Sequence, residues 1–222
     1  MTELSHIQLL RRVDFSLVHP GITARELEAH CAIAREHRIA AVNVQSSWVE
    51  HARHFLDGSE IKVAAAIGFP LGGMDSDTKR YETEVAVDNG AQEIDVVPNF
   101  GRLRSGDDQY VLRELRDMAE AADERPVKVI VDLTLLTESE LTLLCQIILD
   151  SGAHYVAACG KSVSPETLKE LRQAVGETFG LQAWGITDYP TGVAAIKAGA
   201  TRLGTTNLAA LRQNPSETAL GV

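Results

Sequence analysis

Short apolar, β-branched runs alternate with longer amphipathic stretches from one end of the chain to the other. Read by period, the pattern predicts strands over residues 13–16, 40–44, 62–67, 93–97, 127–132, 154–157, 181–184 and 202–204. Between them it predicts helices over 23–37, 47–56, 75–89, 107–122, 137–151, 164–175 and 188–198. Helix starts are readable as Thr23 with Glu26, Thr137 with Glu140 and Ser164 with Thr167. Asn89-Gly90, Gly152 and Gly199 read as helix ends.

Strands alternating with helices imply right-handed crossovers and a parallel sheet. An open doubly wound sheet is the competitor, but the chain carries no GxGxxG fingerprint. Eight units in 222 residues fit one compact (β/α)₈ barrel, a TIM barrel spanning residues 1–222, with a leading helix at 2–11 as a cap. The similarity among NGAQEIDVV, SGAHYVAA and AGATRLGTT reflects a repeated helix-to-strand joint, not function.

Composition agrees. Aromatics are only 5%, so the core must come from Val, Ile, Leu and Ala, which suit strands buried on both faces. The net charge of -10, without a basic run, argues against nucleic acid as a partner. No apolar run is long enough to span a membrane, and the N-terminus lacks a signal pattern, so a cytoplasmic protein is expected. Cys31, Cys145 and Cys159 are too scattered for a disulfide framework or zinc cluster. The histidines, including the pairs His30/His37 and His51/His54, lack a third ligand at metal-binding spacing. No metal or cofactor is therefore expected. A small-molecule substrate is the expected partner, with phosphorylation of that substrate and homo-oligomerisation left open.

Strand parity places candidate chemistry. Asp14 and Ser16 share a face, as do Asn43 and Gln45, then Glu93, Asp95 and Val97, then Lys128, Ile130 and Asp132. These polar faces must point into the barrel, because the other faces pack on helices. Interior charges must pair or be hydrogen-bonded. Either Asp14, Asp95, Lys128 and Asp132 only neutralise one another, or they handle protons beneath a pocket at the strands' C-terminal ends. Cys159 follows the sixth candidate strand, and reads more readily as an apolar thiol than as a nucleophile. Gly160-Lys161, Trp184-Gly185 and Gly204-Thr205-Thr206 occupy places where barrels bind anionic groups.

In order and spacing, VDFSLVHPGIT, IKVAAAIGFPLGGMDSDTK, NGAQEIDVVPNFGRLRSGD, VKVIVDLTLLTESEL and AGATRLGTT resemble the deoxyribose-phosphate aldolase family over residues 7–211. That resemblance implies a class I aldolase barrel cleaving deoxyribose 5-phosphate to acetaldehyde and glyceraldehyde 3-phosphate. It implies that Asp95 is the catalytic aspartate, that Asp14 and Lys128 support it, and that Lys161 lies near the phosphate. It also exposes departures. The family's FVKTSTG segment becomes YVAACG, so Ala157 stands where the Schiff-base lysine is expected. Its GVKASGG segment becomes GLQAWGI, so Gln182 replaces the second lysine and Ile186 a glycine. A cysteine has become Asn43.

Six lysines exist, at 62, 79, 128, 161, 169 and 197, and only Lys128 and Lys161 are placed near the pocket. Three readings stay open. One is an acid–base lyase, isomerase or cyclisation enzyme with Asp95 transferring the proton, Lys128 and Asp132 tuning it, and Asn43, Gln182 and Trp184 shaping the pocket. Another is an aldolase with Lys128 or Lys161 as relocated nucleophile, and the third a non-catalytic binding member.

Overall fold

A computed structural model describes residues 5–160 and 163–212. Eight parallel strands close into a barrel in sequence order: β1 (Val13–Leu17), β2 (Ala41–Gln45), β3 (Lys62–Ile67), β4 (Glu93–Val96), β5 (Val127–Asp132), β6 (Tyr155–Cys159), β7 (Gly180–Trp184) and β8 (Arg202–Thr205). The helices are α1 (His6–Leu10), α2 (Ala24–His37), α3 (Val49–Phe55), α4 (Ser76–Asp88), α5 (Phe100–Arg104), α6 (Asp108–Ala121), α7 (Glu138–Asp150), α8 (Pro165–Val175) and α9 (Tyr189–Lys197). No helix among the described residues is long and apolar enough to cross a membrane.

The expected caps form. Thr23 and Glu26 make a reciprocal capping box on α2, Thr137 and Glu140 one on α7, and Ser164 accepts from Thr167 N on α8. Gly90, Gly152 and Gly199 leave their helices at positive φ of 96°, 87° and 107°, where a side chain would strain the backbone.

Two details differ from expectation. α1 is a five-residue helix whose Leu9 lies against Gly192 of α9, and residues 2–4 of the expected cap lie outside the described residues. α5 was not expected. Asn99 Oδ1 accepts from Arg102 N and starts it within a stretch too short to show helical periodicity.

Outward strand positions such as Val63, Ala65, Ile94, Val96, Val129 and Val131 are buried against the helices. The inward positions carry the barrel's buried polar side chains among small and apolar ones such as Ala157 and Ile130. Asp95 pairs in register with Lys128, Asp132 with Cys159, Ala157 with Gln182, and Gln182 with Arg202. The barrel therefore holds a charged interior surrounded by a conventional apolar layer.

Candidate active site

Lys128 lies at the centre of the interior network. Its Nζ is 3.0 Å from Asp14 Oδ2, 2.6 Å from Glu93 Oε2 and 2.9 Å from Asp95 Oδ1. Arg202 enters from β8 and donates to both Asp14 Oδ1 and Glu93. Gln182 Nε2 donates to Asp14 Oδ2 at 2.7 Å, and Asn43 Nδ2 donates to Asp95 Oδ2 at 2.6 Å. Three carboxylates thus face one ammonium and one guanidinium, all but Arg202 buried.

These contacts set the titration of each group. Burial alone would lower the Lys128 pKa, but Asp14, Asp95 and Glu93 outweigh it and hold the ammonium well above its ordinary range. Burial would raise Asp14, yet Lys128 and Arg202 keep it below the usual carboxylate value. Asp95 is pushed up to about 6, chiefly by burial, with Lys128 opposing and the Asp14 charge assisting. The network is thus one short of electroneutrality, and Asp95 is its softest member.

Above the network opens a cavity of ≈ 350 Å³ at the C-terminal mouth. Ser16, Asn43 and Ile130 contribute to it from β1, β2 and β5, while Asp132, Cys159 and Trp184 stand at the strand ends. Phe69, Pro70, Phe100 and Leu135 complete an apolar wall from the following loops and α5.

Several expected roles change with this geometry. Asp95, expected to transfer the proton, does not line the cavity. It is fully buried and lies beneath, one hydrogen bond from the lining residue Asn43. Asp132 is the carboxylate in the wall, and its Oδ1 accepts from Thr134 N at 2.9 Å and Thr134 Oγ1 at 2.7 Å. Of the two acids, only Asp132 lines the cavity. Along β5, Asp132 stands four residues beyond Lys128, about 13 Å further along the strand in the direction of the mouth.

Ala157 and Gln182 are fully buried below the cavity rather than in contact with it. Cys159 does line it, but burial and the neighbouring Asp132 push its thiol up to about 12, so it stays protonated. The expected anion loops are also altered. Trp184, Gly185 and Thr205 border a separate hollow of only ≈ 140 Å³. The Thr205 hydroxyl is already committed, donating to Ile186 O at 2.7 Å and accepting from Asn207 N at 3.0 Å. Gly204 does not face that hollow as a phosphate loop would. The Trp184 indole lies so close over it that any Cβ there would meet the ring. Lys161 lies outside the described residues.

Sequence reasoning missed Arg202 and gave Ser16 no role. Arg202 shares its inward face with Gly204, so parity could have pointed it into the barrel, though not to Asp14. Ser16 is buried, borders the cavity, and its Oγ has no hydrogen-bond partner among the described residues.

A closed parallel barrel with a mouth cavity above a buried ionic network defines a (β/α)₈ protein with its site at the strands' C-terminal ends. Comparison with known proteins makes this specific. Residues 9–142 match the DeoC/LacD family of aldolases. A deoxyribose-phosphate aldolase of Streptococcus gordonii is 38% identical over 220 residues, covering 97% of this chain and 99% of that one. One from Bdellovibrio bacteriovorus is 37% identical, covering 90% and 94% respectively. A solved tetrameric deoxyribose phosphate aldolase from Aeropyrum pernix superposes with a TM-score of 0.87 at 25% identity, covering 98% of this chain and 94% of that one. The chain belongs to the DeoC/LacD aldolase family.

Proposed function

We propose that this family member acts on a small carbonyl or hydroxylated compound by acid–base chemistry, without forming a Schiff base. The observation that carries the proposal is the state of Lys128. An imine requires a neutral amine with a free lone pair. Lys128 Nζ instead sits among three carboxylates within 3.0 Å, with its pKa raised. Deprotonating it would leave those charges buried with only Arg202 to answer them. The β6 and β7 positions, Ala157 and Gln182, hold no amine at all.

In this reading Asp132 exchanges the proton, because it is the carboxylate in the cavity wall. Asn43 holds a substrate oxygen, with Asp95 fixing the amide's orientation from below through its accepted N–H. Asp95 is then a positioning residue, and Lys128, Asp14, Glu93 and Arg202 hold it in place. Lyase, isomerase and cyclisation steps all fit a single carboxylate beside a bound carbonyl or hydroxyl. The relocated-lysine reading keeps Lys161 as its candidate, since Lys128 is committed to its carboxylates.

The test is turnover across panels of small aldehydes, ketones, sugars and sugar phosphates, followed by a pH profile on any compound consumed. Protonating Asp95 turns the charge-assisted acceptor of the Asn43 N–H into a weaker neutral one, so activity should fall as pH drops through about 6. Asp95→Asn keeps a carbonyl acceptor but cannot titrate. It should flatten that acid limb while lowering the plateau only several-fold. An unchanged limb in Asp95→Asn, or no turnover on any panel, contradicts the proposal.

A further inference from the structure

The cavity's chemistry limits what it can hold. Among the described residues lining it, Asp132 alone carries a formal charge, and that charge is negative. Val18, Phe69, Pro70, Val97, Phe100 and Leu135 supply most of the remaining wall. Phe69 and Leu135 stay 38% and 44% exposed at the rim, with Leu71 at 83% beside them. An apolar rim around an apolar hollow marks a place where an apolar ligand is received.

A second hollow of ≈ 510 Å³ lies alongside, bordered by His19, Pro20, His30 and Gln45. It shares Ser16, Val18, Phe69, Pro70 and Thr206 with the first, so the two are chambers of one mouth. No lysine or arginine among the described residues lines this chamber either. His30 is stacked on Phe15 with ring centroids 3.4 Å apart, its Nε2 is 3.1 Å from Phe15 O, and burial pushes its pKa down to about 4. It is neutral at ordinary pH and gives an anion no counter-charge. At the junction, the unpartnered buried Ser16 Oγ is a hydroxyl ready to meet a ligand oxygen.

We propose that the substrate is uncharged and mainly apolar, with a carbonyl or hydroxyl held at Ser16 and Asn43 and an apolar tail extending past Thr206 into the chamber beside His30. A phosphorylated sugar lacks the tail and carries charge that no lysine or arginine among the described lining residues answers. This deepens the acid–base reading above and rests on its placement of the substrate oxygen.

Calorimetric titration of the full chain with benzylacetone, acetone, deoxyribose 5-phosphate and inorganic phosphate tests it. Benzylacetone should bind at least about tenfold more tightly than acetone or either phosphate, because only it fills both chambers. Pro20→Trp, at an exposed position that borders the second chamber and not the first, should weaken benzylacetone about tenfold and leave acetone unchanged. Ser16→Ala should weaken both ketones several-fold by removing a shared hydrogen bond. Deoxyribose 5-phosphate binding as tightly as benzylacetone overturns the proposal, as does benzylacetone affinity indifferent to both substitutions. Failure of the acid–base reading looks different: a borohydride-reduced ketone adduct on a lysine would refute it while leaving the ligand class intact.

Discussion

Lys128→Met is expected to lower the melting temperature by on the order of 10 °C at pH 8. Removing one partner of a buried ion pair typically costs about 3–5 kcal/mol, and each kcal/mol is worth about 2–4 °C in a chain of this size. Methionine keeps most of the volume, so the loss is electrostatic rather than a cavity effect. Asp14, Glu93 and Asp95 would remain with Arg202 as their sole cation. The pH dependence identifies the cause. Asp95 already has a folded pKa of about 6, above its ordinary value, so it favours folding below about pH 4 and that contribution is lost as pH rises through 6. Without the ammonium its folded pKa rises further. The variant's deficit should therefore be small near pH 4 and grow steadily toward pH 8. Thermal melts of both proteins across that range read this directly, and a deficit independent of pH would contradict it.

Asp132→Asn should reduce kcat by about 10²–10⁴-fold, the usual contribution of a positioned acid or base. Stability should hardly change, because an asparagine carbonyl can still accept from Thr134 N and Oγ1 in the loop after β5. The comparison with Asp95→Asn is what separates the two acids. Asp95 lies below the floor and acts through Asn43, so its loss costs several-fold. Asp132 faces the cavity, so its loss removes the proton acceptor. A variant at 132 retaining more than about a tenth of wild-type kcat would transfer the role elsewhere.

Much of this was legible in the sequence because a barrel strand has only two faces. Once residues 127–132 are read as a strand, Lys128, Ile130 and Asp132 must share a side, and the charged side must face inward. The same logic placed Asp14, Asn43 and Asp95. Parity does not give depth. Strands in a closed barrel are staggered by its shear, so residues on the same inward face can lie in the sealed interior or at the open mouth. That is why parity alone does not show Asp95 sealed beneath the cavity and Asp132 in its wall. Arg202 escaped notice because it begins β8, where an arginine reads as a solvated strand end, and only the closing β1–β8 pairing brings it to Asp14. The hydrogen bonds of Thr205 were not legible for a different reason. A hydroxyl beside glycines suits an anion, but here local backbone groups at Ile186 and Asn207 occupy it. The fold's outline is thus recoverable from period and caps, while the site depends on long-range register.

The most direct measurement is intact-mass spectrometry after incubation with acetaldehyde and borohydride, alongside an Ala157→Lys, Gln182→Lys double variant. The two new amines stand on facing positions of β6 and β7, where an imine and its partner ammonium would form. The wild-type protein is expected to gain no reduced adduct at any interior lysine, and the double variant to gain one at position 157. An adduct in the wild-type protein on Lys128 or Lys161 would contradict this.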